Sequence, residues 1–182
     1  MSEKPDAVKI LWFFIVFMAW TKQFLLTLFM IFSAAFAVTA GAAEYEAYFN
    51  TRFGYSVEYP DIFDASREPD NGDGIWFESA DGEYALTISG GHNVFDHDGE
   101  ALLRECYDRV AYIVEGSERS APNFYSIAYE GGGGMDGAEY VFHEYGVVNE
   151  DIWASFILKY PKDEEERFAP VKERMEASLK LP

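Results

Sequence analysis

The chain has 182 residues, and its 32 acidic against 14 basic side chains leave a formal net charge of −18. A surface that negative repels nucleic acid and anionic lipid headgroups, so neither is an expected partner. The lone cysteine, Cys106, excludes an internal disulfide, and it lies too far along the chain to carry an N-terminal lipid.

The N-terminal part is intensely apolar: ILWFFIVFMAW, then TKQ, then FLLTLFMIFSAAFAVTA. Counted from Met18, it supplies the parts of an export signal in order. MAWTKQ carries Lys22, Phe24 to Phe36 form the apolar run, and AVTAGAA offers small residues for cleavage after Ala42 or Ala43. Residues 1–43 are therefore expected to be a signal peptide whose true start is Met18, which places the rest of the chain in the periplasm or outside the cell. The alternative is a retained membrane anchor. A helix from Ile10 to Ala40 would run about 46 Å at about 1.5 Å per residue, longer than a hydrocarbon core of about 30 Å, with Lys22 near its middle. A lysine there is costly.

Residues 44–182 are the size of one domain and hold 30 acids against 11 bases, once the two acids and three bases of residues 1–43 are set aside. Tyr55 to Tyr59 alternates apolar and polar and stops at Pro60, which predicts a strand. Asp61 to Gly74, rich in Asp, Pro, Asn and Gly, predicts a loop. Ile75 to Ser79 and Tyr84 to Ser89 flank Asp81-Gly82 and predict a hairpin. From Glu100 to Val114 the period changes: Leu102, Leu103, Cys106, Val110, Ile113 and Val114 fall at helical spacing, with Cys106 on the buried stripe alongside Arg109 or Val110. Phe124 to Tyr129, Ala138 to Tyr145 and Ile152 to Tyr160 return to period two. In the last of these both faces are partly apolar, which predicts a central strand covered on both sides. Glu164 to Leu179 closes the chain as a helix with a Phe168, Val171, Met175, Leu179 stripe. Glu164, Glu165 and Glu166 support its positive end and Lys172, Arg174 and Lys180 lie towards its negative end. Pro170 allows a start as late as Phe168. The fold class is thus α+β, an antiparallel β-sheet flanked by helices.

Three groups of residues could carry chemistry. Asp61, Asp64, Asp70 and Asp73, with Glu68, crowd one loop and offer oxygens to Ca²⁺, although the EF-hand spacing fails because its first ligand position falls on Pro69. His92, His97 and Glu100, with His143 and Glu144 later, offer donors to zinc, but His-x4-His across a turn matches no familiar ligand spacing. His143 with nearby carboxylates is the one acid–base set a hydrolase could use. Carboxylate pairs such as Glu144 with Glu150 or Asp151 are not diagnostic in so acidic a chain. No nucleophile elbow, phosphate loop or dinucleotide fingerprint is present, so no catalytic residue and no cofactor is expected. The aromatic residues, Trp76 and Trp153 among them, suffice to fill a core and leave some for an exposed docking patch.

Phe53-Gly54-Tyr55 running to Pro60, Asn71 to Gly74 before the hairpin, the Gly-rich stretch Gly131 to Gly137 and Tyr160-Pro161 before the last helix occur in this order over nearly all of residues 45–180. In these motifs the chain resembles exported bacterial proteins of the Mog1/PsbP-like family. The resemblance implies an α/β/α sandwich. It also implies a non-catalytic binding or interaction module, since members include an extrinsic photosystem II subunit and a nuclear transport factor, both of which act by binding partners. The expected partner is a protein or small ligand in the cell envelope, with membrane contact only through an uncleaved N-terminal segment.

Overall fold

A computed structural model describes residues 44–132 and 139–182. The signal or anchor segment 1–43 and the centre of the Gly-rich stretch, 133–138, lie outside the described residues. The described part forms one compact unit.

The main sheet has seven antiparallel strands in the order β3-β4-β5-β9-β8-β7-β6. They are β3 (Ala65–Arg67), β4 (Gly74–Glu78), β5 (Ala85–His92), β6 (Arg119–Ala121), β7 (Phe124–Gly132), β8 (Glu139–Val148) and β9 (Ile152–Pro161). A separate two-stranded sheet pairs β1 (Tyr45–Phe49) with β2 (Ser56–Pro60). Helix α1 (Gly99–Arg109) follows β5, and helix α2 (Glu165–Ser178) ends the domain after a 3-10 turn at Lys162–Glu164. The last strand in sequence, β9, is the middle one in space, as its two partly apolar faces predict.

The two faces are covered differently. On the first, Ala154, Phe156, Leu158 and Tyr160 of β9 pack with Leu86 and Ile88 of β5 against Phe168, Val171 and Met175 of α2 and Tyr55 and Val57 of β2. On the second, Leu103 and Cys106 of α1 pack on Tyr125 and Ile127 of β7. This helix contacts β6, β7 and β8, and the β5–β9 part of the same face lies beside it.

Several expectations need correction. The first helix stops at Arg109 rather than Val114. Val110 is extended and Tyr112 takes a φ of 57°, so that Val114 N–H reaches Ala128 O at 2.9 Å and Glu130 N–H reaches Tyr112 O at 3.0 Å. Strand-like pairing with β7 there outcompetes the helical period. The second helix begins at Glu165, so Pro170 sits inside it rather than near its start. Its bases act in side-chain pairs more than on the dipole: Lys172 pairs with Glu165 within the helix, and Arg174 holds Glu58 of β2 at 2.8 Å. The segment read as one loop, Asp61 to Gly74, contains β3, and β1 and β6 were not anticipated; each of the three strands has five residues or fewer.

Candidate functional site

Glu144 decides where the site is. In β8 the positions facing α1 are Phe142, Glu144, Gly146 and Val148, a stripe with one charge in it. Strand register sets Glu144 beside Ile127 of β7 and Ile157 of β9, and Ile157 in turn beside Thr87 of β5. Glu144 is 2% exposed. Such a carboxylate needs donors. Its Oε1 has three: Tyr125 O–H at 2.8 Å, Arg109 Nη2 at 3.0 Å and the Cys106 thiol at 3.5 Å. Its Oε2 is buried and has no hydrogen-bond partner among the described residues.

Glu144 lines a pocket of about 460 Å³ framed by three elements. The sheet contributes Ser89, Trp153, Ser155 and Ile157; α1 contributes Leu102, Glu105 and Arg109; the β5–α1 loop contributes Asn93, Val94, Phe95 and His97. Each element is held in place for a local reason. The Asp98 carboxylate caps α1 by accepting from Ala101 N–H at 2.8 Å. Gly99 opens the helix where any Cβ would come within 2.0 Å of Phe124 O, so only glycine lets α1 sit this close to β7 and carry Arg109 to Glu144. Asn93 ties the loop by donating to His97 O at 2.9 Å and Asn149 O at 2.8 Å. The loop then leaves Val94 72% and Phe95 76% exposed at the rim of the pocket.

The electrostatics are those of a buried carboxylate neutralised by a half-exposed guanidinium. Burial works to lower the Arg109 guanidinium, and the Glu144 charge outweighs it, so the base is held above its ordinary range. Burial and the same carboxylate push the Cys106 thiol up to about 12 and the Tyr125 hydroxyl well above its usual value. The thiol is thus buried, protonated and part of the scaffold.

The other sequence candidates fall elsewhere. Asp61 and Asp64 precede β3, while Asp70 and Asp73 follow it, and a strand rising about 3.3 Å per residue holds the two pairs apart. Asp64 accepts from Ala80 N–H and Asp73 from the Asn71 amide. His97 faces Glu105 at 3.2 Å and His92 packs edge-on to Phe53, while Glu100 pairs with Arg104. Among the described residues no group of three or more His, Cys, Asp or Glu is placed to hold a metal ion. His143 lies on the opposite face from its neighbour Glu144, in a groove of about 650 Å³ with Glu165, Glu173 and Glu176. There its Nε2 is 2.9 Å from Glu176, which also takes both bonds from Arg119, and Glu165 is held by Tyr160 and Lys172. This arrangement fastens α2 to the sheet.

Sequence reasoning names His92, His97, Cys106 and Arg109, and it names Glu144 only as a zinc donor beside His143 or as one of many undiagnostic carboxylates, not as the partner of Arg109. The available signal was a lone acid on an otherwise apolar strand face, matched by a lone base, Arg109, on the apolar stripe of a helix.

No family model matches the sequence, and no match is found among curated proteins. Among solved structures, cyanobacterial PsbP (CyanoP) from Synechocystis sp. PCC 6803 superimposes with a TM-score of 0.50 at 12% identity, over 79% of this chain and 96% of that one. The fold is PsbP-like. Weaker likenesses are a protein from Bacteroides thetaiotaomicron (TM-score 0.48, 16% identity, 70% of this chain and 45% of that one) and LpqN, involved in cell envelope biogenesis of Mycobacterium tuberculosis (0.45, 14%, 81% and 96%). At these identities the likeness to CyanoP is one of fold. Among the described residues no helix is long and apolar enough to cross a membrane.

Proposed function

We propose that this PsbP-like domain is a small-ligand-binding module of the cell envelope, and that the pocket between α1, the β5–α1 loop and the sheet is its binding site. The observation that carries the reading is the buried Glu144 Oε2 without a donor beside a pocket of about 460 Å³. An unmade hydrogen bond on a buried group costs about 1–3 kcal/mol, more when the group is charged, and a ligand O–H or N–H that completes it recovers that cost. Exposed Val94 and Phe95 at the rim supply apolar surface to close over the ligand body. The envelope location rests on the export signal read in residues 1–43.

The test uses Glu144→Gln. The side-chain carbonyl must still accept from Tyr125 and Arg109, so the amide nitrogen takes the place of Oε2 and presents a donor where an acceptor stood. Ligand-observed NMR with a panel of hydroxyl-, amide- and amine-bearing fragments is expected to give binders to the purified full-length protein that Glu144→Gln loses at least tenfold. Binders that hold equally to both proteins, or a panel without binders, would defeat the reading.

A further inference from the structure

We infer that this pocket selects an uncharged, hydroxyl-rich ring, a pyranose or cyclitol, over an amine of the same shape, and that Arg109 sets that selectivity. The inference rests on the binding reading above and names the ligand class. Its first support is charge. Glu144 is already neutralised by Arg109 at 3.0 Å, and the other carboxylate of the pocket, Glu105, faces His97 at 3.2 Å. An ammonium at Oε2 would meet the guanidinium across a single carboxylate that one cation already neutralises, and the two like charges would repel. A hydroxyl makes the same hydrogen bond without that repulsion.

The second support is shape. Gly91 lies opposite Trp153 in the β5–β9 ladder, and a Cβ built on Gly91 would meet the indole at 3.3–3.5 Å. The indole thus packs over Gly91, and Trp153 lines the pocket. Around it stand Ser89 and Ser155, short polar groups suited to ring hydroxyls. A sugar ring or cyclitol has one flat C–H face and a rim of donors and acceptors, so it matches a lining that combines an indole, short polar groups and the Glu144 carboxylate. A purely apolar ligand would leave Oε2 unpaired.

The probes are methyl β-glucopyranoside, methyl β-galactopyranoside and myo-inositol, each paired with an analogue carrying one amino group in place of a hydroxyl, titrated into the full-length protein and followed by NMR. At least one neutral probe should bind wild type about tenfold more tightly than its amine, a ratio worth about 1.4 kcal/mol. Arg109→Met, which keeps the stem and removes the charge, should erase or invert that ratio, while Arg109→Lys should keep it. If Arg109→Met does not fold, the wild-type ratio and Arg109→Lys decide. Amines that bind wild type as well as the neutral probes, in a manner sensitive to Glu144→Gln, overturn the selectivity while leaving the binding site standing. An unchanged preference in folded Arg109→Met removes Arg109 as its cause. Binding of neither class overturns both the selectivity and the site.

Discussion

Cys106 shows how one buried carboxylate governs the residues around it. Its sulfur donates towards Glu144 Oε1 at 3.5 Å and accepts from Arg109 at 3.1 Å. Burial is the larger cause of its raised pKa of about 12, and the Glu144 charge adds to it against the opposing pull of Arg109. Only the thiolate attacks an alkylating reagent, and at pH 8 this thiol is almost wholly protonated. Iodoacetamide at pH 8 should therefore leave the native protein nearly unlabelled over a period in which the urea-unfolded chain reacts fully, as read by intact mass. Glu144→Gln removes the negative neighbour but not the burial, so it should label faster than wild type and still far more slowly than the unfolded chain. Rapid labelling of native wild type would mean that Cys106 is not held as described. The sequence makes Cys106 legible as a helix-stripe residue. It does not show that the stripe faces a carboxylate, because the pairing of α1 with β8 depends on Gly99, whose tight approach to β7 is a fact of tertiary packing.

At the scale of elements, α2 is fastened to the first face of the sheet by acids as well as by its apolar stripe. Glu176 meets His143 of β8 and Arg119 of β6, and Glu165 meets Tyr160 of β9 and Lys172. Burial works to raise both carboxyls, yet hydrogen bonds from these partners outweigh it and hold both below the ordinary glutamate range. A carboxyl with a depressed folded pKa contributes stability that is present above its unfolded pKa, about 4.3, and is lost as pH falls through the folded value. Wild type should therefore lose melting temperature from about pH 5 downwards, and the double variant Glu165→Gln, Glu176→Gln should start lower at pH 7 but fall less steeply. Parallel pH profiles from calorimetry would show that these two groups do not couple helix docking to protonation. Reading the elements from sequence succeeded where periodicity extended over enough residues: β4, β5, β8, β9 and α2 all announce themselves. It failed at β3 and β6, three residues each, where no period can be seen. It also failed at the end of α1, where the helical spacing of Ile113 and Val114 yields to pairing with Ala128 and Tyr129. Glu165 and Glu166 do stand in the first turn of α2, as the dipole reading expects, but the bond from Tyr160 of β9 to Glu165 and the docking of Glu176 on β6 and β8 depend on tertiary packing.

At the scale of the whole molecule, the excess of acid is a long-range property and the ion pairs are short-range ones. Among the described residues Arg104, Arg109, Arg119, Lys162, Arg167, Lys172 and Arg174 each hold a carboxylate within 3.1 Å. Half of the bases in the chain are thus already spent locally, against a total of 32 acids and 14 bases. The unpaired acids repel one another across the domain, and that repulsion is felt when the screening length is about 30 Å, at about 10 mM salt, but largely vanishes when it falls below about 10 Å. Contacts at about 3 Å are screened less, most of all Arg109 with the buried Glu144. Added salt should therefore stabilise the protein on balance. Between about 10 mM and 300 mM sodium chloride at pH 7.5, a gain of about 1–2 kcal/mol, or a rise in melting temperature of about 3–8 °C, is expected. Choline chloride at the same ionic strength should give the same curve, because its bulky cation screens charge but cannot enter a cluster of carboxylates. A rise with sodium or calcium that choline fails to reproduce would point to bound cations, with the aspartates flanking β3 as the first place to look. A fall in melting temperature with every salt would show that the ion pairs, Arg109 with Glu144 and Arg119 with Glu176 foremost, outweigh the repulsion of the acidic surface.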